Sequence, residues 1–491
     1  MVRLQLLDMR KKQIRLYRFY INNIEASNEY DYNELVRVFI PDSDFEVISV
    51  NFDDSISSLL YSKSFFINKS KSDNKDDVKR ELYEKLVEIT GFRPPWGILT
   101  GVRPLKIAQK LYNKCEDYEY VSSILREKYL ISDEKISLLI NILKYQNVFV
   151  CGNSDEKISI YIGIPFCPTR CTYCSFASNE ANEEEIEKYL SSLCQEIRYM
   201  ASLASKNGDV GNKIESIYIG GGTPTTLSAE QLKILIDVIS DSFQIYDLSK
   251  LEFTVEAGRP DTITYNKLQV IKSAGIKRIS INPQTMNDNT LKVIGRKHSS
   301  NDTRAAYQLA DKVKFDIINA DLIAGLPNEN FEDFKKSLEE IVSLGANNIT
   351  IHTLSIKNGS MLKDNNPDYY RKNSEEVSKM LDYAGLYLAK MGFRPYYIYR
   401  QKHQVGALEN VGYCKIGTHS LYNIRIMDDR QTIIAMGAGA VGKVYFPEDD
   451  RIERIANISN YQIYSERIEE ILNRKNKYYG GSDGDQSAKG Y

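Results

Sequence analysis

Three of the seven cysteines, Cys167, Cys171 and Cys174, fall within eight residues in the run YIGIPFCPTRCTYCSF. Structural zinc sites use four protein ligands, usually in paired spacings, and no second C-x2-C or histidine pair lies nearby. The C-x3-C-x2-C spacing instead suits a cubane [4Fe-4S] cluster, whose irons take thiolate ligands. Three close cysteines on one loop can wrap three irons and leave the fourth open. An open iron can chelate an amino and a carboxylate group, as S-adenosylmethionine (SAM) presents them. An electron from the reduced cluster would then cleave the sulfonium bond, leaving methionine and a 5′-deoxyadenosyl radical. Cluster potentials span roughly −700 to +450 mV, and this chemistry needs the low end.

A loop of this kind needs a scaffold, and the surrounding pattern supplies one. The apolar runs ISIYIGIPF (158–166), SIYIGGG (216–222), LEFTVEAG (251–258), RISINPQ (278–284), FDIINADLIAG (315–325) and NITIHTLSI (348–356) read as buried strands. Helical patterns such as EEIEKYLSSLCQEIRYMASLA, AEQLKILIDVIS, TYNKLQVIKSAG and FEDFKKSLEEIVSLG lie between them. Strands alternating with helices predict βαβ units and a parallel sheet. The fold class is therefore α/β, and six units suit a partial (β/α)6 barrel better than a closed eight-stranded one. Chemistry in such barrels gathers at the C-terminal strand ends. There the second strand ends in Gly220, Gly221 and Gly222, whose backbone can approach a ligand closely and accept from an ammonium group. Glu256 ends the third strand, where it could pair with that ammonium or a ribose. His352 closes the sixth strand and should face the cavity, with a satisfied structural histidine an equal reading.

Around this barrel the sequence divides into four stretches. Residues 1–150 read as a mixed α+β domain, with strand-like FEVISVNF (45–52), helical KRELYEKLVEITGF (79–92) and the sole tryptophan, Trp96. Loop-like CGNSDEK (151–157) opens the barrel, 151–392. A C-terminal substrate or cap region follows at 393–479, with strand-like PYYIYRQ (395–401) and QTIIAMGAGAVGKVYF (431–446). The tail 480–491 has the composition of a disordered segment. Polar KNGSMLKDNNPDYYRKN (357–373) should be a loop. Cys194 lies on an apolar helical face and should be core, while Cys115, Cys151 and Cys414 are isolated in sequence.

The formal net charge is only −2, so no global electrostatic case for nucleic acid exists. The N-terminal stretch breaks its apolar positions with charges and lacks the uninterrupted run of a signal peptide or membrane span. The expected location is cytoplasmic, without a membrane, where thiols stay reduced.

The cysteine motif resembles that of radical SAM enzymes. Y-x-x-I-P-F-C-x3-C-x-Y-C-x-F is similar to the oxygen-independent coproporphyrinogen III dehydrogenase group. GGGTPT, the TVEA strand end, SINPQ, IGRKHS, NADLIAGLP and MGAGAVG recur in the same order. The long N-terminal region with PWGILTGVRP is similar to the HemZ branch.

The resemblance implies a [4Fe-4S] cluster on Cys167, Cys171 and Cys174, with SAM contacts from ten further residues. Gly221, Gly222, Thr223 and Glu256 would meet its amino end, and Gln284 and Arg296 its ribose and carboxylate. Asp321 and Ile323 would flank the adenosyl group. Tyr161 would stand near the methionyl end and Tyr173 near the adenine. It also implies a tetrapyrrole substrate and an electron donor such as flavodoxin or ferredoxin. The implied reaction is oxidative decarboxylation of coproporphyrinogen III. Ala257, Gly258 and Arg259 stand before Pro260 where better-known members have V-D-P, so another tetrapyrrole such as heme is a second possibility. A heme chaperone is a third, although that branch's His-Asn-x-x-Tyr-Trp motif has no counterpart here. RPYYIYRQKHQ offers Arg394, Arg400, Lys402 and His403 as partners for propionates.

Overall fold

The computed structural model describes residues 17–22, 26–41, 44–50, 63–67, 74–150, 157–174, 179–205, 210–355, 374–402 and 404–479. The loop at 357–373, the tail at 480–491, Cys151 and His403 lie outside them. The chain forms two compact units, Met1–Ile140 with Gly406–Leu408, and Asn141–Val405 with Glu409–Tyr491.

In the first unit β1 (Tyr17–Asn22), α1 (Ala26–Phe39), β2 (Phe45–Val50), β3 (Ser64–Ile67) and α2 (Lys75–Thr90) come first. The helices α3 (Pro104–Cys115) and α4 (Tyr118–Glu127) follow, and α5 (Asp133–Phe149) begins in this unit and continues past Ile140 into the second. The strands make a parallel sheet ordered β2-β1-β3. Phe19 and Ile21 from β1 pack with Leu35 and Val36 from α1 and with Leu82, Tyr83 and Leu86 from α2. Asn74 and Asp77 form a capping box that starts α2, and Gly91, at φ 67°, ends it.

Among the described residues the second unit is built on an eleven-stranded sheet in the order β10-β11-β9-β8-β7-β6-β5-β4-β12-β13-β14, with the ranges that follow. Its first half runs β4 (Ile158–Ile164), α6 (Glu183–Ser205), β5 (Ile214–Gly221), α7 (Ala229–Ser242), β6 (Glu252–Gly258), α8 (Tyr265–Ser273) and β7 (Arg278–Ile281). Next come α9 (Asp288–Val293), α10 (Ser300–Val313), β8 (Ile317–Ala324), α11 (Phe331–Ser343), β9 (Asn348–Thr353) and α12 (Ser374–Lys390). The remainder is β10 (Arg394–Tyr399), β11 (Asn410–Cys414), α13 (Leu421–Asp428), β12 (Thr432–Met436), β13 (Val441–Phe446), β14 (Arg451–Ala456), α14 (Tyr461–Glu466) and α15 (Ile468–Tyr479).

All six strand segments read from the sequence are present as β4 to β9, each parallel to the next. The fold is α/β, a partial (β/α)6 barrel. Strand alternation explains how it presents chemistry. In β4 the isoleucines 158, 160, 162 and 164 are buried on one face, and Ser159, Tyr161 and Gly163 take the other. Helix starts are set locally, with Ser228, Ser299 and Asn330 each completing a capping box.

QTIIAMGAGAVGKVYF, which reads as one strand, is two. β12 adds parallel to β4, and β13 returns antiparallel. Gly437 makes the break, because at φ 99° a Cβ there would stand 2.4 Å from the Gly163 carbonyl. A buried ion pair backs this turn, with Lys475 Nζ 2.6 Å from Glu196 Oε1. Glu196 also accepts from Gly437 N (2.7 Å), Tyr464 Oη (2.6 Å) and Asn457 Nδ2 (2.9 Å). Its remaining lone pairs are therefore satisfied, as a buried charge requires. Cys194 is core, as its helical face implies. Among the described residues no helix is long and apolar enough to cross a membrane.

Candidate active site

A cavity of about 570 Å³ opens at the C-terminal ends of β4 to β9. The three cysteines line it, and so do Tyr161, Tyr173, Gly221, Gly222, Thr223, Glu256, Gln284, Arg296, Asp321 and Ile323. The three cysteines and the ten residues that the resemblance names therefore line one cavity.

The cysteine loop follows β4 through Phe166, two residues past the strand and itself 1% exposed, and is held by backbone bonds on both sides. Cys167 N donates to Asn179 O at 3.0 Å, Thr172 N to Ile294 O at 3.0 Å and Cys174 N to Cys171 O at 3.2 Å. The glycine strand end packs directly against this loop. Gly222 N donates to Ile164 O and Thr223 N to Phe166 O, both at 2.7 Å. A Cβ on Gly222 would lie 2.4 Å from the Phe166 carbonyl and 3.0 Å from Cys167 Sγ, so only glycine fits. Burial pushes the Cys167 thiol up, while a bond to Thr223 Oγ1 (3.5 Å) and the charge of Arg259 pull it back.

Glu256 faces the glycine strand end from β6. Tyr218 Oη donates to its Oε1 at 2.5 Å. Burial raises its pKa to about 7, and the nearby Asp321 carboxylate adds to that against the Tyr218 and Gly221 bonds. Its cost of ionisation is ready to be offset by a cation. Gln284 adopts φ 70° just beyond β7, where its backbone bridges Asp321 O and Ile323 N at 3.0 Å each. Asp321 is the reverse of Glu256. Burial alone would raise it, but His352, Asn319 and Thr350 outweigh that and hold the carboxyl below its ordinary range. His352 lies 3.5 Å from Asp321 through Nε2 and 3.1 Å from Tyr399 Oη through Nδ1. It faces the cavity, as its position at the end of β9 implied.

The family model of the radical SAM superfamily matches residues 161–341. The oxygen-independent coproporphyrinogen-III oxidase-like protein HemZ of Bacillus subtilis (strain 168) is 41% identical over 394 residues, 79% of this chain and 78% of that protein. The chain belongs to the HemZ-like group of radical SAM proteins. The heme chaperone HemW of the same organism is 32% identical over 289 residues, 58% of this chain and 71% of that one. Among solved structures, the radical SAM coproporphyrinogen III oxidase HemN of Escherichia coli aligns at 18% identity and a TM-score of 0.49, over 65% of this chain and 71% of that chain.

Radical SAM proteins use a [4Fe-4S] cluster and SAM, and the cavity fits both. Among the described residues no three histidine, cysteine or carboxylate side chains converge as a single metal ion would need. A cubane asks for something different, since its thiolates bind separate irons. Two buried polar atoms on the wall, Gln284 Oε1 and Arg296 Nε, have no hydrogen-bond partner among the described residues. Buried polar groups without partners are uncommon, and both suit the polar groups of SAM.

Other residues that line the cavity were not singled out from the sequence. Tyr218 and Asn319 each sit two positions before a chosen residue, Gly220 and Asp321, so strand alternation was a usable signal. Tyr422 had none. It comes from α13 and stacks on Tyr218 with ring centroids 4.6 Å apart. Glu252, at the start of β6, anchors α13 by accepting from Leu421 N (2.5 Å) and Ser420 Oγ (2.8 Å). Arg425 adds a two-pronged pair to Glu215 at 2.7 Å. The basic run after Arg394 requires a correction. Tyr397, Tyr399 and Gln401 line the cavity, whereas Arg394, Arg400 and Lys402 do not. Period-two alternation puts Arg400 with Tyr396 and Ile398 on the other face.

Proposed function

We propose that this protein carries out oxygen-independent oxidative decarboxylation of coproporphyrinogen III to protoporphyrinogen IX. The observation that carries the reading is the gathering of the three cysteines and the ten residues named by the resemblance around one cavity, in a chain 41% identical to a coproporphyrinogen-III oxidase-like protein. When bound, the reduced cluster and SAM supply hydrogen-atom abstraction from an unactivated carbon. Cys167, Cys171 and Cys174 hold the cluster on their loop. Glu256 receives the SAM ammonium beside the glycine strand end, and the fork of Arg296 receives the carboxylate. Gln284 meets the ribose, while Asp321 and Ile323 flank the adenosyl group. Tyr161 and Tyr173 close the methionyl and adenine ends. The stacked Tyr161, Tyr218 and Tyr422 offer flat apolar faces to a macrocycle.

Each of the two propionates that react would lose one β-hydrogen atom, carbon dioxide and one electron, leaving a vinyl group. The electron would pass to an acceptor, and a low-potential donor such as flavodoxin or ferredoxin would supply the electron that the cluster needs. The test is anaerobic incubation of the reconstituted protein with SAM, a strong reductant and coproporphyrinogen III, followed by mass spectrometry. Loss of one and then two formic-acid equivalents, matched by 5′-deoxyadenosine, supports the reading. An intact cluster that yields no 5′-deoxyadenosine sinks it.

A second reading has its own support. With the Arg394, Arg400 and Lys402 side chains off the cavity wall, a substrate with four carboxylates finds fewer cations there than the sequence suggests. The likeness to the heme chaperone HemW then favours heme, either modified or carried. Tight heme binding without SAM turnover would select carriage.

A further inference from the structure

Arg259 is buried to 2% exposure directly beyond the strand that carries Glu256. A guanidinium so placed must be fully partnered. Its Nε and one terminal nitrogen each lie 3.1 Å from the two oxygens of Asp261. The other terminal nitrogen donates to Thr169, at 3.0 Å to Oγ1 and 3.3 Å to the carbonyl. Thr169 stands between Cys167 and Cys171, so the arginine reaches across 90 residues to grip the cysteine loop itself. The ion pair is therefore oriented. Its positive end meets the loop, and its carboxylate, with a quarter of the side chain exposed, lies on the other side.

The groups around this pair do not cancel it. His298 approaches Asp261 at 3.8 Å with its side chain fully buried. Burial and the charges of Arg296 and Arg259 lower its pKa to about 4, so it stays neutral. Arg296 holds the far end of the same loop, donating to Tyr173 Oη at 3.2 Å. The loop thus sits between two fixed guanidinium groups. Reduction of a thiolate-bound cubane adds one negative charge to it. A fixed cation in a low-dielectric wall favours the more negative state and raises the potential.

We propose that Arg259 tunes the reduction potential of the cluster on Cys167, Cys171 and Cys174, through a positive charge locked against the loop at Thr169. The role is one of positioning and electrostatics, since the guanidinium acts through the loop. In the step concerned, the oxidised cluster gains one electron and an external one-electron donor loses it. The inference rests on the cluster assignment made above but is independent of the substrate.

The test uses full-length protein, reconstituted anaerobically, without SAM or substrate. The fraction of reduced cluster is followed by electron paramagnetic resonance through a redox titration, with iron and sulfide counted per chain. At the wild-type midpoint, Arg259→Met should lower the reduced-to-oxidised ratio at least tenfold, a negative shift of about 59 mV or more. Arg259→Lys should stay within threefold of wild type. Asp261→Asn removes the opposing charge and should raise the ratio, a reversal that loosening of the loop would not produce. A loaded Arg259→Met protein with the wild-type midpoint overturns the proposal, as do Arg259→Met and Asp261→Asn shifts of the same sign. If Arg259→Met takes up no cluster, Asp261→Asn decides alone, with a raised ratio in support and any other result against. Cys171→Ala is the control: normal cluster content there would refute the ligand assignment rather than the arginine's role.

Discussion

Replacing Glu256 by Gln should move protein stability and SAM affinity in opposite directions. In the folded protein without ligand the carboxyl titrates near 7 instead of 4.5, chiefly because it is buried. The folded state therefore holds a proton that the unfolded chain has lost, and stability falls as pH rises through that window. At roughly 1.4 kcal/mol per pH unit, the ionised carboxylate costs about 3 kcal/mol once pH exceeds 7. Glutamine can still accept the Tyr218 hydroxyl but carries no charge, so the ligand-free variant should be the more stable protein at pH 8 by up to about that amount. Binding runs the other way. Only the carboxylate pairs with the SAM ammonium, and the ionised fraction is about a tenth at pH 6 and nine-tenths at pH 8. The apparent Kd of the wild type should thus tighten about tenfold between those pH values through Glu256 alone. SAM's own titration enters both proteins equally, so the ratio of variant to wild-type Kd isolates the residue. Anaerobic calorimetry on cluster-loaded protein and urea unfolding of ligand-free protein give the two readouts. A Kd ratio that changes less than twofold between pH 6 and pH 8 would refute the reasoning, as would a variant less stable than wild type at pH 8.

Gly222→Ala should impair cluster uptake, because the new Cβ would stand 2.4 Å from the Phe166 carbonyl and 3.0 Å from Cys167 Sγ. Iron per chain should fall, with a stability loss of about 1–3 kcal/mol. Lys475→Met strands the buried Glu196 carboxylate and should cost about 3–5 kcal/mol in urea unfolding, while adding Glu196→Gln should recover much of it. Arg425→Ala leaves Glu215 without its two-pronged partner and should cost a similar amount, about 3–5 kcal/mol. Because α13 carries Tyr422, it should also weaken tetrapyrrole binding more than SAM binding.

The cysteine loop was legible because its information is local. Three cysteines within eight residues mark a candidate ligand set whatever the chain does elsewhere. The six barrel strands were legible for a similar reason, since apolar runs between helical patterns follow from backbone periodicity. Strand-end position pointed Glu256 and His352 to the cavity and the resemblance pointed Asp321 there, and all three line it. Period-two alternation would also have removed Arg400 from that wall had it been applied to β10. What the sequence could not determine are contacts whose partners lie far apart along the chain. Arg259 is only a departure from a family pattern in the sequence, and folding brings Thr169 to it from 90 residues away. Glu252 meets Leu421 across 169 residues, and Glu196 meets Tyr464 across 268. Burial makes those meetings energetically decisive. A charged side chain withdrawn from water must find its partner, and only the tertiary fold selects which residue that is.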